Sequence, residues 1–163
     1  MHLISHETVE KTIFTIRNKK VMLDADLARL YGVETKALNR AVLRNLERFP
    51  DDFMFQLKPK EADDLRCQFG TSKRGGRRYL PYVFTEHGIL MLSSVLNSSR
   101  AIQVNIQIMR IYMKMREMAL SYKDLIAKID EMEKKYDKQF QVVFKAIKLL
   151  LEKPKAGPPK RFE

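Results

Sequence analysis

The sequence is poor in the residues that cross-link or anchor a protein. One cysteine, Cys67, stands among 163 residues, so no internal disulfide can form, and no Cys/His cluster has the spacing of zinc ligands. No apolar run approaches the roughly 18 to 20 residues that a membrane-spanning helix needs, and the N-terminal MHLISHETVE lacks the apolar core of a signal peptide. We therefore expect a cytoplasmic protein without a metal site and without a place in a membrane.

Catalytic signatures are also scarce. His87 follows Glu86, but both fall in the first turn of a predicted helix, where the helix dipole favours an acidic residue. The phosphate-binding patterns GxxxxGKS and GxxxxGKT do not occur, and Cys67 has no histidine near it in sequence. We expect neither an enzyme nor a cofactor, and we assign no catalytic residue.

Basic residues exceed acidic ones. The chain carries 31 Lys and Arg against 20 Asp and Glu, a formal net charge of +11 at pH 7, and its isoelectric point is near 9.8. This balance favours a polyanionic partner, nucleic acid above all. A generally soluble basic protein is the plain alternative. The positions of the basic residues in the sequence distinguish the two interpretations.

The positions of turn residues and the spacing of apolar residues predict a small α+β domain. Two apolar runs within 12–24, separated by the polar 17–20, predict a β-hairpin. A pair of short helices follows, the first with Asp24 as its N-cap and Gly32 at its end, the second capped by Thr35.

Shorter elements are expected after Pro50. Phe53, Phe55 and Leu57 share one face of a short predicted strand, and a polar helix follows over 59–69. A strand at 79–84 is expected at a sheet edge because of Pro81, and Thr85 is expected to cap the next helix.

The C-terminal part predicts helix. After a break at 97–99, a helix that is apolar on two sides spans 100–120. Over 121–153, apolar residues recur at spacings of three and four, with one four-residue skip: Leu125, Ile129, Met132, Tyr136, Phe140, Val143, Ile147 and Leu150. This pattern fits a coiled-coil seam that joins two copies of the chain, although a single amphipathic helix folded back on the core has the same pattern. The Pro-rich, basic 154–163 is expected to be disordered.

The second helix of the opening pair has an apolar side and a basic side. Leu38 and Val42 fall on the first, and on the other side a basic row recurs every four positions: Lys36, Arg40, Arg44 and Arg48. A solvated charged face is the usual explanation of such a row. That kind of face normally mixes signs, however, and only Glu47 interrupts this one.

The helix pair itself fits a helix-turn-helix. Ala28 lets the helices approach, Gly32 supplies the turn, and Val33 and Leu38 close the angle between them. A helical hairpin that only packs a core would use the same residues. With the basic row beside it, the second helix becomes a candidate for the DNA major groove, where Arg bonds guanine and Asn bonds adenine. We assign DNA contact there to Thr35, Lys36, Asn39, Arg40, Arg44 and Arg48.

A second basic cluster lies in a glycine-containing loop. Its cations stand within six positions, inside an acid-free window over 65–85: Lys73, Arg74, Arg77 and Arg78. Neighbouring glycines let the backbone approach another surface closely, so we expect a wing that contacts DNA phosphates or a minor groove. A phosphate-binding loop of an enzyme and a merely flexible loop are the alternatives.

Three strings together resemble a known family: VMLDADLARLYGVETKALNRAVLRNLERFPDDFMFQL, GGRRYLPYVFTEHGILMLSSVL and NIQIMRIYMKMRE. They are similar to the N-terminal DNA-binding domain of phage and prophage proteins related to KilA-N, of the open-reading-frame-six N-terminal type. The resemblance covers about residues 10–117 and implies a small α+β domain with a helix-turn-helix core, found in phage antirepressor-like and bacterial regulators and inferred to bind DNA. The family's polar positions fall on Asp24, Asp26, Tyr31, Gly32, Thr35, Lys36, Asn39, Arg44, Arg48, Gly75, Gly76, Arg77 and Arg78.

The expected fold is α+β: a small helix-turn-helix domain with a β-hairpin and wing-like strands, followed by a long C-terminal helical or coiled-coil segment. We place the DNA-binding domain at 10–120, a dimerisation segment at 121–153 and the tail at 154–163. The expected function is sequence-specific binding of double-stranded DNA by a homodimer, as in a phage or prophage transcriptional regulator of the bacterial cytosol or nucleoid. An antirepressor-like module that binds a protein regulator through its C-terminal helices is the alternative. A nucleic-acid enzyme would require a carboxylate cluster that we do not find.

Overall fold

The structure, a computed structural model, describes residues 5–68, 79–135 and 138–152, with no side chains at 138–140. In these ranges the elements follow in the order α1 His6–Glu10, β1 Ile13–Ile16, β2 Lys19–Leu23, α2 Asp24–Tyr31, α3 Thr35–Arg44, β3 Met54–Gln56, α4 Pro59–Gln68, β4 Tyr82–Thr85, α5 Glu86–Val95, α6 Ser99–Lys135 and α7 Lys138–Leu151. The predicted α+β fold, with a long C-terminal helical segment, is confirmed.

The first two strands form the predicted hairpin with a tighter turn. Ile16 pairs with Lys19 across the antiparallel strands, which leaves Arg17 and Asn18 as a two-residue connection. Both have positive φ, 52° and 61°, as a type I′ turn requires, and the twist of that turn matches the twist of the strands. Lys19 and Lys20, expected in the turn, therefore belong to β2.

The strand order is β1-β2-β4-β3, so β4 is an inner strand. The expectation that Pro81 confines this strand to an edge is wrong. Pro81 precedes the first strand residue, Tyr82, so its missing N–H lies outside the ladder. Its carbonyl still takes part, because it accepts a hydrogen bond from the backbone N–H of Leu57 at 3.0 Å.

Both faces of the sheet are covered. On one face, Val21 and Val83 pack with Ala62 of α4. Side chains alternate along a strand, so Met22 and Phe84 point to the other face, where they pair across β2 and β4 and are fully buried. Helices α2 and α5 contact β4, and α3 packs against both of these helices. The sheet therefore holds the α2–α3 pair in place.

The start of α5 lies very close to Phe53, the residue before β3. Thr85 is the N-cap, as predicted, and its Oγ1 accepts a hydrogen bond from the backbone N–H of Gly88 at 3.4 Å. A Cβ atom at Gly88 would lie 2.2 Å from the carbonyl oxygen of Phe53, so this approach requires glycine. The ring of His87 stacks on Phe53 with the centroids 5.4 Å apart.

The chain divides into two compact units, Met1–Met113 and Lys114–Glu163. Helix α6 passes residue 120 without a break, so the predicted helix over 100–120 and the start of the predicted 121–153 segment are one helix. The domain limits at 120 and 153 stay a prediction. None of the helices in the described ranges is long and apolar enough to span a membrane.

Within the second unit, α7 folds back against the later part of α6. Lys148 on α7 forms ion pairs with Asp130 and with Glu133, the latter at 2.6 Å. Two residues of the predicted seam differ in exposure. Ile129 is 7% exposed, whereas Val143 is 53% exposed. The skip between Tyr136 and Phe140 and the tail over 154–163 lie outside the residues whose side chains are described.

Candidate nucleic-acid interface

The connection between α2 and α3 is three residues long and tightly held. Gly32 ends α2 in the left-handed conformation, with φ of 70°, as predicted. The N–H of Val33 donates to the carbonyl of Ala28 at 2.9 Å, which completes a Schellman-type end. The Arg100 side chain lies over Gly32, and its Nε donates to the carbonyl of Leu30 at 3.1 Å.

The residues expected to set the angle between α2 and α3 differ in burial. Leu38 and Ala28 are buried, at 0% and 1% exposure, whereas Val33 is 38% exposed. The backbone N–H of Val33 donates a hydrogen bond at the turn. Its side chain is only partly covered, and the role predicted for it in closing the angle stays a prediction.

Helix α3 separates its two sides as expected. Its inner side is fixed by Leu38 and Val42, both at most 2% exposed. Three members of the basic row lie exposed along the helix: Lys36, Arg40 and Arg44. In the described part of the chain none of the three takes part in a salt bridge, so their charge is available to an external anion.

The ends of α3 differ from the prediction. Its N-cap is Glu34, without a side-chain cap, and Thr35 is the first helical residue. The helix ends at Arg44, because Asn45 leaves helical geometry and its side-chain amide donates to the carbonyl of Ala41 at 2.9 Å.

Arg48 is therefore not on α3, contrary to the predicted extension of the basic row. It lies in a single 3₁₀ turn over Leu46–Arg48. Its Nη1 donates to Oγ of Ser94 on α5 at 3.0 Å. Leu46, in the same turn, is 52% exposed.

Asp24 has a different role from the predicted helix cap. Leu23 occupies the N-cap position, and Asp24 is buried with 2% exposure. Its carboxylate accepts hydrogen bonds from the side-chain amide of Asn39 at 2.8 Å and from the backbone N–H groups of Ala25 at 2.7 Å and Tyr82 at 3.4 Å. One carboxylate thus links α2, α3 and β4.

Asn39 belongs to this link. Its Nδ2 is engaged with Asp24, and its Oδ1 is buried without a hydrogen-bond partner in the described part of the chain. The structure brings Asn39 next to Lys36 and Arg40 on α3, but it directs the amide inward.

A cleft of about 610 Å³ lies beside the outer side of α3. Leu43, Lys36 and Arg40 line it from the helix, and Leu80 and Tyr82 line it from the start of β4. Leu43 is 52% exposed. It could have been singled out in the sequence, because it lies out of phase with the buried Leu38 and Val42.

A family model named "ORF6N domain" matches residues 11–95, just over half of the chain. The chain belongs to the ORF6N domain family. ORF6N is a phage-associated domain. Comparisons with curated proteins and with solved structures found no match.

The ORF6N match ends at α5, but the first part of α6 packs in the same compact unit. The hydroxyl of Tyr31 donates to Oδ1 of Asn105 at 2.5 Å, and both residues are buried. Burial raises the pKa of Tyr31 well above its usual value. Tyr31 therefore anchors α2 to α6 and is not offered to a partner.

The second basic cluster of this ORF6N domain lies outside the described residues: Lys73, Arg74, Arg77 and Arg78. The wing stays a prediction. In the described ranges, no three His, Cys, Asp or Glu side chains converge as a metal site requires. The residues not anticipated from sequence are Asp24 in its linking role, Arg100, Asn105 and Leu43.

Proposed function

We propose that this ORF6N chain binds double-stranded DNA sequence-specifically, as a phage- or prophage-type transcriptional regulator related to KilA-N proteins. The observation that carries the proposal is the outer side of α3. Lys36, Arg40 and Arg44 are exposed at four-residue intervals and have no salt bridge in the described part of the chain. The proposal is of a binding protein of the bacterial cytosol or nucleoid, without catalysis and without a cofactor.

The packing of α3 supports insertion into the major groove. The groove of B-DNA admits one α-helix, and α3 is held from its inner side by Leu38, Val42 and the Asn39–Asp24 hydrogen bond. In this proposal Arg40 and Arg44 reach guanine edges, while Lys36 and Thr35 meet phosphate near the helix N-terminus. Asn39 acts as a positioning residue.

Further phosphate contacts are assigned to residues away from α3. Arg48 is exposed beside Ser94, and the predicted wing contributes Lys73, Arg74, Arg77 and Arg78. Each phosphate contact that is removed should reduce the slope of log affinity against log salt concentration by about one unit. An unchanged slope after neutralisation of the wing cations would remove the wing from the proposal.

The experiment is selection of bound sequences from a random duplex pool, followed by affinity measurements on the selected and on scrambled sites. We expect Arg40→Ala or Arg44→Ala to cost about 1 to 3 kcal/mol on the selected site and to relax its preference. Arg110→Ala is the matched control, since Arg110 is exposed on α6 and its loss changes the net charge equally. Equal losses of affinity on all DNA sequences would show that the basic row contacts only phosphate. A selection that enriches no sequence would refute sequence-specific binding.

Self-association through 121–153 is part of the proposal. Much of the seam is exposed in a single chain, including Leu125 at 44%, Ile147 at 37% and Leu150 at 85%, and apolar seams of this kind join helices. Removal of 121–163 should convert dimers to monomers in sedimentation. Dimers that persist would place the interface in the first unit.

A second candidate is an antirepressor-like module that binds a protein regulator. Three apolar side chains on one side of α6 favour it: Ile102, Ile106 and Met113 are 50%, 46% and 53% exposed. The chain from His87 to Arg116 contains no acid, so an acidic amphipathic helix would suit this surface. Retention on an immobilised acidic helix, lost in Ile106→Glu, with no retention on DNA would favour this candidate over DNA binding.

A further inference from the structure

The cleft beside α3 has the character of a small-molecule site. Its volume of about 610 Å³ lies within the range of roughly 300 to 1,000 Å³ that is typical of ligand pockets. Its lining is mainly apolar and includes two tyrosines: Leu43 from α3, and Tyr79, Leu80 and Tyr82 from the chain that enters β4. Tyr79 is 76% exposed and Leu43 is 52% exposed, so large apolar groups are left in contact with water.

The charges around the cleft favour an anion. Lys36 and Arg40 line it, and neither forms a salt bridge in the described part of the chain. Asp24 is the acid that faces the cleft, but its carboxylate is buried and accepts hydrogen bonds from Ala25, Asn39 and Tyr82. Two cations therefore stand beside an apolar, tyrosine-containing wall.

We propose that this cleft binds a small molecule with a planar aromatic ring and one anionic group. The ring lies against Leu43, Leu80 and Tyr82, because aromatic and aliphatic side chains bind flat rings through apolar burial and ring contacts. The anionic group meets Lys36 and Arg40. A nucleoside monophosphate and an aromatic carboxylate both have this chemistry.

Such a ligand would control the proposed DNA binding. Lys36 and Arg40 cannot bind the anionic group of the ligand and contact DNA at the same time, so the ligand and DNA compete. The competition rests on the proposed function, whereas binding of the ligand does not.

The test uses calorimetric titration of the full chain with two probes, deoxyadenosine 5′-monophosphate and 2-naphthoate. The expected result is saturable binding of at least one probe. Leu43→Gln and Arg40→Gln should each weaken it about fivefold or more, since one removes apolar contact and the other removes a charge. Deoxyadenosine and 2-naphthamide, which lack the anionic group, should also bind at least about fivefold more weakly than their charged counterparts.

Two matched variants separate the cleft from the rest of α3 and its neighbourhood. Leu46 has the same 52% exposure as Leu43 but does not line the cleft, and Arg44 is exposed on α3 but also does not line it. Leu46→Gln and Arg44→Gln should leave probe affinity within about twofold. No saturable binding of either probe, or equal losses in Leu43→Gln and Leu46→Gln, would overturn the proposal. Binding of one probe alone supports it and identifies the anion.

Competition is measured separately on the selected DNA site. The probe that binds should weaken DNA binding by the wild-type chain and have at least about fivefold less effect on Leu43→Gln. A chain that binds the probe but no DNA would refute the proposed function and leave the ligand site standing. DNA binding that is unaffected by a saturating probe would refute the competition.

Discussion

The two sides of α3 use polar residues in opposite ways. On the inner side Leu38 and Val42 are buried, and at the border of that side Asn39 donates a hydrogen bond to the buried Asp24 at 2.8 Å. On the outer side, Arg40 and Arg44 are exposed and have no salt bridge in the described ranges. A single ten-residue helix therefore separates groups that hold the fold from groups that can bind a partner.

Other arginines show the same division. Arg17 donates to both carboxylate oxygens of Glu61, at 2.7 and 2.9 Å, and lies over the ring of Phe55. Arg100 is bonded to the end of α2. These cations are engaged within the fold, so residue type and net charge alone do not identify a binding surface.

The largest expected effect is on the inner side. Leu38 has no exposed surface, so Leu38→Ala should lower the free energy of unfolding by about 2 to 5 kcal/mol through lost burial and a cavity. Leu43→Ala, on the outer side at 52% exposure, is the control and should change it by less than about 0.5 kcal/mol. Urea unfolding measures both. Similar losses in the two variants would erase the distinction between the sides.

Asn39→Ala should have the next largest effect. It removes a donor from the buried carboxylate of Asp24, which should cost about 1 to 3 kcal/mol in the free energy of unfolding. Lys36→Ala, on the outer side, is expected to stay within about 0.5 kcal/mol. If Asn39→Ala unfolds as the wild type does but loses its preference among DNA sites, Asn39 reads bases and does not position α3.

The Arg17–Glu61 pair predicts a pH dependence. Hydrogen bonds from Arg17 and from the backbone N–H of Lys58 lower the pKa of Glu61 to about 2. A lowered pKa stabilises the fold above the unfolded value near 4.5, and this contribution is lost as the pH falls toward 2. Because the pair is partly exposed, we expect Glu61→Gln to cost about 1 kcal/mol at pH 7.

The check is the difference in unfolding free energy between wild type and Glu61→Gln, followed from pH 7 to pH 2. It should be constant at neutral pH and shrink below about pH 4.5. Glu47→Gln is the control, since Glu47 is exposed beside α3. A difference that does not change with pH would show that the Glu61 carboxylate is not held in its charged form.

The smallest change in stability is expected on the outer side. Arg40→Gln combined with Arg44→Gln should alter the free energy of unfolding by less than about 0.5 kcal/mol. The same double variant should weaken binding to the selected DNA site and relax its sequence preference, because both residues are proposed to reach guanine edges. A loss of stability comparable to that of Asn39→Ala would mean that the basic row supports the fold.

Local sequence signals predicted the local structure well. The hairpin, the left-handed turn at Gly32, the cap at Thr85 and the polar helix after Pro59 depend on residues close together in the chain. The separation of Leu38 from the basic row follows from helical period alone. These features required no knowledge of distant contacts.

The errors have two causes, distant hydrogen-bond partners and misplaced ends of helices and strands. Asp24 fits the N-cap rule, yet its carboxylate bonds Asn39 and Tyr82, which are 15 and 58 residues away. Pro81 suggested an edge strand, but it lies one residue before β4. Arg48 continued the four-residue pattern, while the amide of Asn45 ended the helix. The cleft depends on α3 and β4 together, so no single stretch of sequence shows it.

The four-residue spacing on α3 also limits changes in length. Leu38 and Val42 share the inner side, and Arg40 and Arg44 share the outer side. One residue inserted after Leu38 would rotate the rest of the helix by about 100°, turning Val42 out of the core and changing where the arginines point. Helix α3 should therefore tolerate many substitutions on its outer side but no insertion or deletion, and natural variants of this segment are expected to keep its length.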